Sequence, residues 1–371
     1  MADSGRPLRL LVAGGGTGGH LYPGIAIAEE VKATTGGEAV FVGTARGLES
    51  KLVPAAGFPL ELVKVSGLKR MGLRGLVRGM MRLPGAFIES ARILRRHQPD
   101  VVLGVGGYAS GPLVFAAALL GYPTAIHEAN SLPGFTNRML ARLVRRVFVA
   151  FDDAAARFAR RKVRYLGNPV RRSFLDRVAA GAPTEEGNAI VILGGSQGSR
   201  AVNELASGMV RVLDARGRLP PVIHQTGADQ FAEMQVNYAA LGYEGRVDVR
   251  PFIDDMPAVL SKAAVIVARA GALTLAELAI MRRPAILIPL PTAADDHQTM
   301  NALAFERAGA AVLLPQADAS ATRLGDLVDE ILRDPARRAA MAAAMGTLAR
   351  ASATRDIVRA DRHRAPERLT R

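Results

Sequence analysis

Short apolar runs alternate with amphipathic stretches along the whole chain, and this rhythm predicts strands separated by helices. Apolar runs without polar alternation are typical of strands that are buried on both faces of a sheet. Helical periodicity fills most of the gaps between the runs, as in Ile25–Ala33 and Asn203–Leu213. The predicted strands are Leu8–Ala13, Ala39–Gly43, Val101–Val105, Thr124–His127, Arg146–Ala150, Val163–Leu166, Ala189–Leu193, Pro221–Gln225, Val247–Arg250, Ala264–Ala268, Pro284–Ile288 and Ala311–Leu314.

The two halves of the chain open in the same way. In each half an apolar run ends in glycines and a helical pattern follows: Leu10–Ala13 leads into Gly14–Gly19, and Ile190–Leu193 leads into Gly194–Gly198. Strand–helix alternation implies parallel sheets covered by helices. We therefore predict an α/β protein with two doubly wound, Rossmann-like domains facing across a cleft. Ligands of such domains bind beyond the carboxyl ends of the strands.

The length of 371 residues suits two domains, each able to bury its own core. The boundary is expected at Gly167–Pro169, or in the loose stretch Gly181–Gly187. One uncharged stretch, Val101–Ile126, is long enough to span a bilayer. Because glycines and prolines interrupt it, we interpret it as strand, glycine loop, helix, turn and strand rather than as a membrane span.

Composition narrows the possible chemistry. The chain has no cysteine, which excludes disulfides and cysteine-based metal sites. A net charge of +14 favours acidic partners such as phosphorylated substrates, nucleic acid or an anionic membrane surface. Nucleic acid is the weaker prediction, because the chain lacks tryptophan and shows no basic–aromatic stacking pattern.

The first glycine loop, Gly14–His20, contains the spacing Gly-x-Gly-x-x-Gly at the start of a predicted helix. Glycines let the backbone approach a ligand, and a helix N-terminus favours an anion. The same spacing also occurs in dinucleotide sites, which require an acid at the end of the second strand. Here Thr44, Ala45 and Arg46 follow that strand, which disfavours a dinucleotide. His20 adjoins the loop, and its usual pKa suits a general base.

The second half repeats the arrangement and adds a second helix start. Gly194–Gly198 forms another candidate anion cradle. The run Ala264–Ala268 then leads through Arg269–Thr274 into a helix that carries Glu277, so that the helix start can face a diphosphate and the carboxylate can accept from ribose hydroxyls. Asp295–Gln298 offers too few ligands for a metal site, and no Asp-x-Asp pattern occurs. We expect neither a metal nor another cofactor.

The segment Gly67–Phe87 interleaves arginine and lysine with leucine, methionine and valine. This composition is typical of a helix lying in an anionic membrane interface. A core-facing helix with a solvated basic face is the alternative. Because methionine and arginine in this segment are expected to be exposed, we favour a surface that faces lipid or a lipid-linked acceptor.

Taken together, the motifs resemble one family over about Leu8–Ala360. It is the MurG family, bacterial UDP-N-acetylglucosamine–N-acetylmuramyl-(pentapeptide) pyrophosphoryl-undecaprenol N-acetylglucosaminyltransferases. The order and spacing of the motifs are specific, although no single motif is. They are GGGTGGH at Gly14–His20, GVGGYASGP at Gly104–Pro112, HEAN at His127–Asn130, GNPVR at Gly167–Arg171, GGSQGSR at Gly194–Arg200, FIDDM at Phe252–Met256, RAGALTLAE at Arg269–Glu277 and DHQTMNA at Asp296–Ala302.

The resemblance implies a GT-B glycosyltransferase with an acceptor domain at 1–168, a donor domain at 169–345 and a C-terminal helix within 346–371 that packs back on the first domain. It implies transfer of N-acetylglucosamine from UDP-N-acetylglucosamine to the lipid-linked acceptor lipid I, giving lipid II for peptidoglycan synthesis. The expected location is peripheral, on the cytoplasmic face of the inner membrane, with an anionic membrane surface and cell-wall synthesis proteins as partners.

The resemblance also implies roles for individual residues. His20 and Glu128 are the candidate catalytic residues, His20 as a base or as a contact to the acceptor phosphate. The glycine loop is expected to approach diphosphate and sugar, Asn130 and Gln298 the donor sugar, Ile253 the uracil and Glu277 the ribose. The implied substrate-binding residues are Thr17, Gly18, Gly19, Asn130, Arg171, Ser196, Ile253, Ala272, Leu273, Thr274, Leu275, Ala276, Glu277 and Gln298.

Departures from the family pattern concern fine donor contacts. Ala129 stands where the family usually has glutamine, and His297 replaces the first of two paired glutamines. Three other functions remain as alternatives. A UDP-sugar 2-epimerase of the same architecture would consume donor without acceptor, an NAD oxidoreductase would bind nicotinamide, and a basic nucleic-acid or membrane adaptor would show salt-dependent binding without turnover.

Overall fold

The computed structural model describes residues 7–16, 18–45, 47–63, 73–107, 110–181 and 187–362, with the backbone alone at 73–83, 294, 361 and 362. The strands, in chain order, are β1 Arg9–Gly14, β2 Glu38–Gly43, β3 Leu60–Leu62, β4 Val101–Gly106, β5 Thr124–Glu128, β6 Arg146–Val149, β7 Val163–Tyr165, β8 Ala189–Leu193, β9 Val222–Gln225, β10 Val247–Arg250, β11 Ala263–Ala268, β12 Ala285–Leu287 and β13 Ala311–Leu313. The helices are α1 Gly18–Thr35, α2 Glu49–Ala55, α3 Leu73–His97, α4 Ser110–Leu119, α5 Phe135–Leu140, α6 Asp152–Ala155, α7 Arg172–Ala179, α8 Arg200–Ala215, α9 Phe231–Ala240, α10 Met256–Ser261, α11 Ala272–Met281, α12 His297–Arg307, α13 Ala321–Arg333, α14 Pro335–Leu348 and α15 Ala353–Arg362.

The strands form two parallel sheets that share one topology. The first sheet has the order β3-β2-β1-β4-β5-β6-β7, and the second has the order β10-β9-β8-β11-β12-β13. In both sheets the first strand of the unit, β1 or β8, is the third strand from one edge, and later strands lie on both sides of it. This is the doubly wound order of Rossmann-like domains, whose ligands bind where the strand order reverses. The reversal points are β1/β4 and β8/β11.

Every predicted strand is present, with ends shifted by a residue or two. β8 shows why the prediction works: Ala189–Leu193 is an unbroken apolar run, and all of it is buried. One strand, β3, was missed. Leu60–Leu62 is a three-residue edge strand that is only partly buried, so it carries no apolar run that could announce it.

Contacts divide the chain into two compact units. The N-terminal unit contains Met1–Arg171 and Ala351–Arg371, and the C-terminal unit contains Arg172–Arg350. The sequence had placed these divisions after residues 168 and 345. The core of the N-terminal unit includes Ile357 and Val358 of α15, which pack with α1. The C-terminal unit has a separate core in which β8, β9 and β11 pack against α8 and α13.

The uncharged stretch Val101–Ile126 folds as β4, α4 and the start of β5, as its glycines and prolines predicted. Among the described residues, no helix has both the length and the apolar character needed to cross a bilayer. The basic segment Gly67–Phe87 overlaps the first half of α3, but its side chains up to residue 83 lie outside the described residues. Phe87 is described, and its ring packs edge-on against Phe115 of α4, with centroids 6.3 Å apart.

Candidate functional site

Two glycine loops meet at the reversal point of the first sheet. One follows β1 and contains Gly15 and Gly16. The other begins at Gly106, the last residue of β4, and continues with Gly107. Gly107 has φ +81°, and any side chain there would collide with the carbonyl of Gly15. The loops therefore touch backbone to backbone, which only glycine permits at this position.

Glu49, in the first turn of α2, lies buried beneath the first glycine loop. Its carboxylate accepts hydrogen bonds from Gly16 N (2.9 Å), Thr44 N (2.8 Å) and Thr44 Oγ1 (2.7 Å). Burial raises the pKa of Glu49, but these hydrogen bonds outweigh burial and leave the pKa below its ordinary value. A side chain at Gly15 or Gly47 would collide with this carboxylate, and one at Gly43 would collide with Cγ of Glu49.

Glu49 revises the sequence-based interpretation of the first loop. The residues directly after β2 contain no acid, as the sequence indicated, yet Glu49 folds back to that strand end from five residues beyond Thr44. Its oxygens already accept from the protein backbone. The N–H of Gly16 is consequently occupied by an internal anion, and the loop is held in shape without a ligand.

His20 lies in the first turn of α1, beside Gly18 and Gly19, and is partly exposed. Its ring stacks against the second glycine loop so closely that a Cβ at Gly106 would lie 2.7 Å from His20 Nδ1. The structure thus brings His20 to the reversal point, together with two of its three predicted loop neighbours. The third, Thr17, lies outside the described residues.

Glu128 ends β5 and is buried. One carboxylate oxygen accepts from Asn130 N (3.0 Å) and Asn130 Nδ2 (3.3 Å). The other accepts from Gly134 N (3.1 Å) and Asn137 Nδ2 (2.9 Å). Burial raises the pKa of Glu128 above its ordinary value, against the opposing effect of these four donors. The carboxylate is therefore the centre of the loop that carries Asn130.

His127, one residue earlier, is buried and lies opposite the Gly167–Arg171 motif. Its Nε2 lies 3.2 Å from the carbonyl oxygen of Gly167, so Nε2 carries the proton of the neutral ring. Burial lowers the pKa of His127 to about 4. Nearby, Asn168 Nδ2 donates to Ala129 O (3.0 Å), which joins the two motifs. Arg171 lies with its guanidinium carbon 5.9 Å from the ring centroid of Tyr22 in α1.

In the C-terminal unit, the loop Gly194–Gly198 leads from β8 into α8. Ser196 is exposed on this loop. Gly198 has φ +75°, and a side chain there would collide with the carbonyl of Thr226 after β9. Ser199 caps α8, because its hydroxyl accepts from Val202 N. The loop therefore presents Ser196 outward while its base is fixed against β9.

Arg269 lies buried at the end of β11, the other strand of the reversal point. Its guanidinium donates to Ser199 Oγ (3.2 and 2.8 Å) and to Gln316 Oε1 (2.7 Å). It also donates to the carbonyls of Ile288 (3.1 Å) and Pro289 (2.9 Å). Burial lowers the pKa of Arg269. Among its described hydrogen-bond partners none is a carboxylate, so the positive charge is held by neutral groups.

The helix start predicted to face a diphosphate is present at α11. Gly271 occupies the N-cap without a side-chain cap bond, and Ala272, Leu273 and Thr274 form the first turn. The first N–H groups of a helix have no partner within the helix and carry its positive dipole end. Leu275 packs inward, Ala276 is partly exposed, and Glu277 lies buried one turn in.

Ile253, predicted to present its backbone to uracil, follows β10 and is buried. Its N–H donates to Oε1 of Gln225 at 2.9 Å. Gln225 is not among the site residues predicted from the sequence. Gln298, predicted to meet sugar hydroxyls, accepts from Leu290 N (3.0 Å) through Oε1. Just before it, Asp295 and Asp296 adopt left-handed φ values of 55° and 53°, a strained pair that fixes the start of α12.

Within the part of the chain that the structure describes, no three His, Cys, Asp or Glu side chains are grouped so that they could hold a metal ion.

His224 lies buried in β9, behind the loop that carries Ser196. Its Nδ1 lies 3.0 Å from Tyr238 Oη, and its Nε2 lies 3.0 Å from Asn203 Oδ1. Because Asn203 uses its NH₂ group toward Thr226 O, its Oδ1 must accept, which places the histidine proton on Nε2. Burial lowers the pKa of His224 to about 3.

Acidification is expected to destabilise the protein through this histidine. Between pH 6.5 and about 3 the unfolded chain binds a proton at His224 that the folded chain does not, so lowering the pH across this window favours unfolding. Each such proton contributes about 1.4 kcal/mol per pH unit. Urea unfolding at pH 7, 6, 5 and 4.5 should show a shallower pH slope in His224→Leu than in wild type. Equal slopes in the two proteins would contradict the lowered pKa of His224 in the folded state.

Two family models match the chain. The glycosyltransferase family 28 N-terminal domain matches residues 10–149, and the glycosyltransferase family 28 C-terminal domain matches residues 189–358. The chain is 47% identical over 354 residues to the Myxococcus xanthus UDP-N-acetylglucosamine–N-acetylmuramyl-(pentapeptide) pyrophosphoryl-undecaprenol N-acetylglucosamine transferase, covering 94% of this chain and 91% of the relative. It is 48% identical over 352 residues to the protein of the same name from an Anaeromyxobacter species, covering 94% and 92%.

Solved structures agree with these matches. Acinetobacter baumannii MurG superimposes with a TM-score of 0.78 at 29% identity, over 96% of this chain and 100% of that one. A Listeria monocytogenes protein described as a UDP-N-acetylglucosamine 2-epimerase superimposes with a TM-score of 0.66 at 13% identity, over 96% of both chains. The second likeness shows a shared two-domain, Rossmann-like GT-B fold alone.

Proposed function

Because the chain belongs to the MurG family of glycosyltransferase family 28, we propose that it transfers N-acetylglucosamine from UDP-N-acetylglucosamine to the muramyl hydroxyl of lipid I, giving lipid II. The observation that carries this proposal is 47% identity to a transferase of that name over 94% of the chain. The 2-epimerase alternative is supported at 13% identity by fold alone.

The donor is assigned to the carboxyl edge of the second sheet. The first turn of α11 supplies N–H groups and a positive dipole end to the diphosphate. Buried Arg269 adds a fixed positive charge beside the N-cap of α8. Glu277 accepts from the ribose, and the Ile253 segment meets the base. Ser196 and Arg171 complete the diphosphate contacts, and Asn130 and Gln298 meet the sugar.

The reaction is a single displacement with inversion. The muramyl hydroxyl oxygen forms a bond to the anomeric carbon, the bond from that carbon to the diphosphate oxygen breaks, and UDP leaves with the bonding electrons. The hydroxyl proton passes to a base, for which His20 is the candidate, because its imidazole is partly exposed at the edge of the first sheet. Preorganised donors that face the leaving diphosphate lower the barrier most.

Glu128 contributes by positioning. Both of its oxygens already accept hydrogen bonds within the protein, and its side chain is buried. A carboxylate with these partners holds Asn130 in place more readily than it accepts a proton from a substrate. We therefore assign proton acceptance to His20, and the geometry of the Asn130 loop to Glu128.

The transferase is tested by UDP release from UDP-N-acetylglucosamine in the presence and absence of a lipid I analogue. We expect release only with acceptor. Glu277→Ala is expected to raise the donor KM at least about 10-fold, because the ribose loses a charged hydrogen-bond acceptor. Exposed Glu233, which pairs with Arg200 on the surface, provides the control variant Glu233→Ala with wild-type kinetics. Equal release without acceptor would indicate an epimerase or hydrolase instead.

A surface of the N-terminal unit fits the location that lipid I requires. Exposed apolar side chains project from α4 (Phe115, Leu119) and the residue that follows it (Leu120), and from α5 (Phe135, Met139) and the turn after it (Leu143). The helices are neighbours, and exposed Arg138, Arg142 and Arg145 lie among these residues. We call these nine residues the α4–α5 patch and propose that it rests on the anionic cytoplasmic face of the inner membrane. Cell-wall synthesis proteins that use lipid II are the expected partners there.

Vesicle binding tests the α4–α5 patch. Wild type is expected to sediment with vesicles that contain anionic lipid, and much less with zwitterionic vesicles or at high salt. The double variant Met139→Ser, Leu143→Ser should reduce binding about 10-fold, because two apolar anchors are lost. Val236→Ser is the matched control, since Val236 is 70% exposed on α9 of the C-terminal unit. Equal loss in both variants would place the membrane surface elsewhere.

A further inference from the structure

Gln225, the last residue of β9, is a buried amide whose two ends bond to different loops. Its Nε2 donates to the carbonyl of Gly195 at 3.0 Å, in the loop between β8 and α8. Its Oε1 accepts from the N–H of Ile253 at 2.9 Å, in the segment after β10. One side chain therefore connects the loop on each side of its own strand.

The surroundings of Gln225 hold it rigidly in this place. Thr226 N donates to Arg250 O at 2.9 Å, and Gly194 N donates to Gln225 O at 3.4 Å. His224 Nε2 and Asn203 Oδ1, 3.0 Å apart, attach the start of α8 to β9. A Cβ at Gly227 would lie 2.6 Å from Gly198 Cα, so the two turns are in backbone contact. The amide is thus fixed by a strand end that is itself bonded to both neighbours.

We infer that Gln225 is a positioning residue that couples recognition of the base to recognition of the diphosphate. The inference rests on the proposed donor site. Ile253 belongs to the segment assigned to uracil, and Gly195 precedes Ser196 in the loop assigned to the diphosphate. With Gln225 in place, the two loops keep a fixed spacing before the donor binds, and ordering one loop orders the other. Preorganisation of this kind improves affinity by reducing what binding must immobilise.

The coupling distinguishes UDP from its parts. Of the two loops that Gln225 joins, uridine engages only the Ile253 segment, whereas UDP engages both and gains from their fixed spacing. Removing the bridge should lower the affinity for UDP more than the affinity for uridine. It should also relax the preference for uracil over cytosine, because the backbone of Ile253 loses the bond that sets its position.

The experiment is calorimetric titration of wild type, Gln225→Met and Gln225→Glu with UDP, CDP and uridine, without acceptor. Methionine keeps the length of the side chain but neither hydrogen bond. We expect it to weaken UDP about 10-fold, in line with the loss of two buried hydrogen bonds, and uridine about threefold or less. Glutamate keeps an acceptor for Ile253 N but loses the donor to Gly195. We expect it to weaken UDP while keeping the wild-type preference for UDP over CDP.

Steady-state kinetics with saturating acceptor should show the donor KM rising with the UDP dissociation constant in Gln225→Met, and kcat within about twofold of wild type. Gln235→Met is the matched control, because Gln235 is exposed on α9. If Gln225→Met lowers the melting temperature but leaves the ratio of UDP to uridine affinity unchanged, Gln225 is only structural and the inference is wrong. If wild type itself fails to bind UDP, the proposed donor site fails instead.

Discussion

Arg269→Met is expected to lower kcat/KM for the donor by at least about 100-fold, roughly 3 kcal/mol of transition-state stabilisation. The guanidinium makes five hydrogen bonds, to Ser199, Gln316 and the carbonyls of Ile288 and Pro289. The guanidinium therefore connects the N-cap of α8 with the two residues that follow β12. It also supplies a positive charge that none of its described hydrogen-bond partners neutralises. Methionine keeps much of the volume but removes both the bonds and the charge.

A charge effect and a folding effect are separable for this variant. If the charge matters, affinity should fall more for UDP than for uridine, and the difference should shrink at high salt. Arg283→Met is the matched control. Arg283 is partly buried and, like Arg269, donates to backbone carbonyls, here those of Ala263 (3.1 Å) and Ser261 (2.8 Å) at the opposite end of β11. It should lose stability but keep kcat/KM. A similar loss of kcat/KM in both variants would mean that Arg269 acts through the fold alone.

Glu128→Ala is expected to lose a comparable share of activity, about 100-fold in kcat, together with about 3 kcal/mol of the free energy of unfolding. Removing the carboxylate takes an acceptor from the part-buried N–H groups of Asn130 and Gly134 and from the buried amide of Asn137, which keeps its hydrogen bond to His127 O. Buried donors left without a partner cost about 1–3 kcal/mol each before the loop relaxes. Relaxation would move Asn130, which the proposed mechanism places at the donor sugar.

Two comparisons separate positioning from proton transfer at Glu128. Glu128→Gln retains an acceptor oxygen, and if Glu128 positions Asn130, this variant should keep the shape of the pH–rate profile at a reduced rate. Loss of the acidic limb of that profile, along which the rate rises as the base loses its proton, would instead make Glu128 the base. Asp100→Ala is the stability control. Asp100 is also a buried carboxylate, but it accepts from Arg9 N at 2.9 Å at the amino end of the same sheet. The Asp100→Ala variant should have a lower free energy of unfolding than wild type, and the folded variant should have the wild-type kcat.

The strands show what local pattern alone can determine. A strand buried on both faces must be apolar throughout, so β1 or β8 is visible in its own few residues. The glycine turns are equally local, because Gly107 and Gly198 are needed where two backbones touch. The edge strand β3 was missed, since a partly exposed three-residue strand is defined by its neighbour β2 rather than by its composition.

The residues of the candidate site also differ in whether the local sequence or only the tertiary structure reveals them. Motif resemblance named His20, Glu128 and Glu277 as site residues, and it included Arg269 only as the start of a motif. The structure places His20 at the reversal point of the first sheet and Arg269 at that of the second. The motif resemblance did not indicate Glu49 or Gln225. For Glu49, the sequence offers one signal, an acid that closely follows Gly47 after β2. For Gln225 it offers none, because the HQTG segment at His224–Gly227 does not reveal which backbone groups the Gln225 amide contacts.

By itself, the sequence determined that this chain forms two doubly wound domains and belongs to a transferase family, because apolar periodicity and motif order are properties of neighbouring residues. Only the tertiary structure decided which groups are already occupied. Glu49 takes the Gly16 N–H, Glu128 takes the donors around Asn130, and Gln225 joins Gly195 to Ile253. These bonds join a side chain to backbone that can be far away in the chain, and a backbone N–H or carbonyl is the same at every residue. No residue type marks the partner, so only the folded arrangement can specify it.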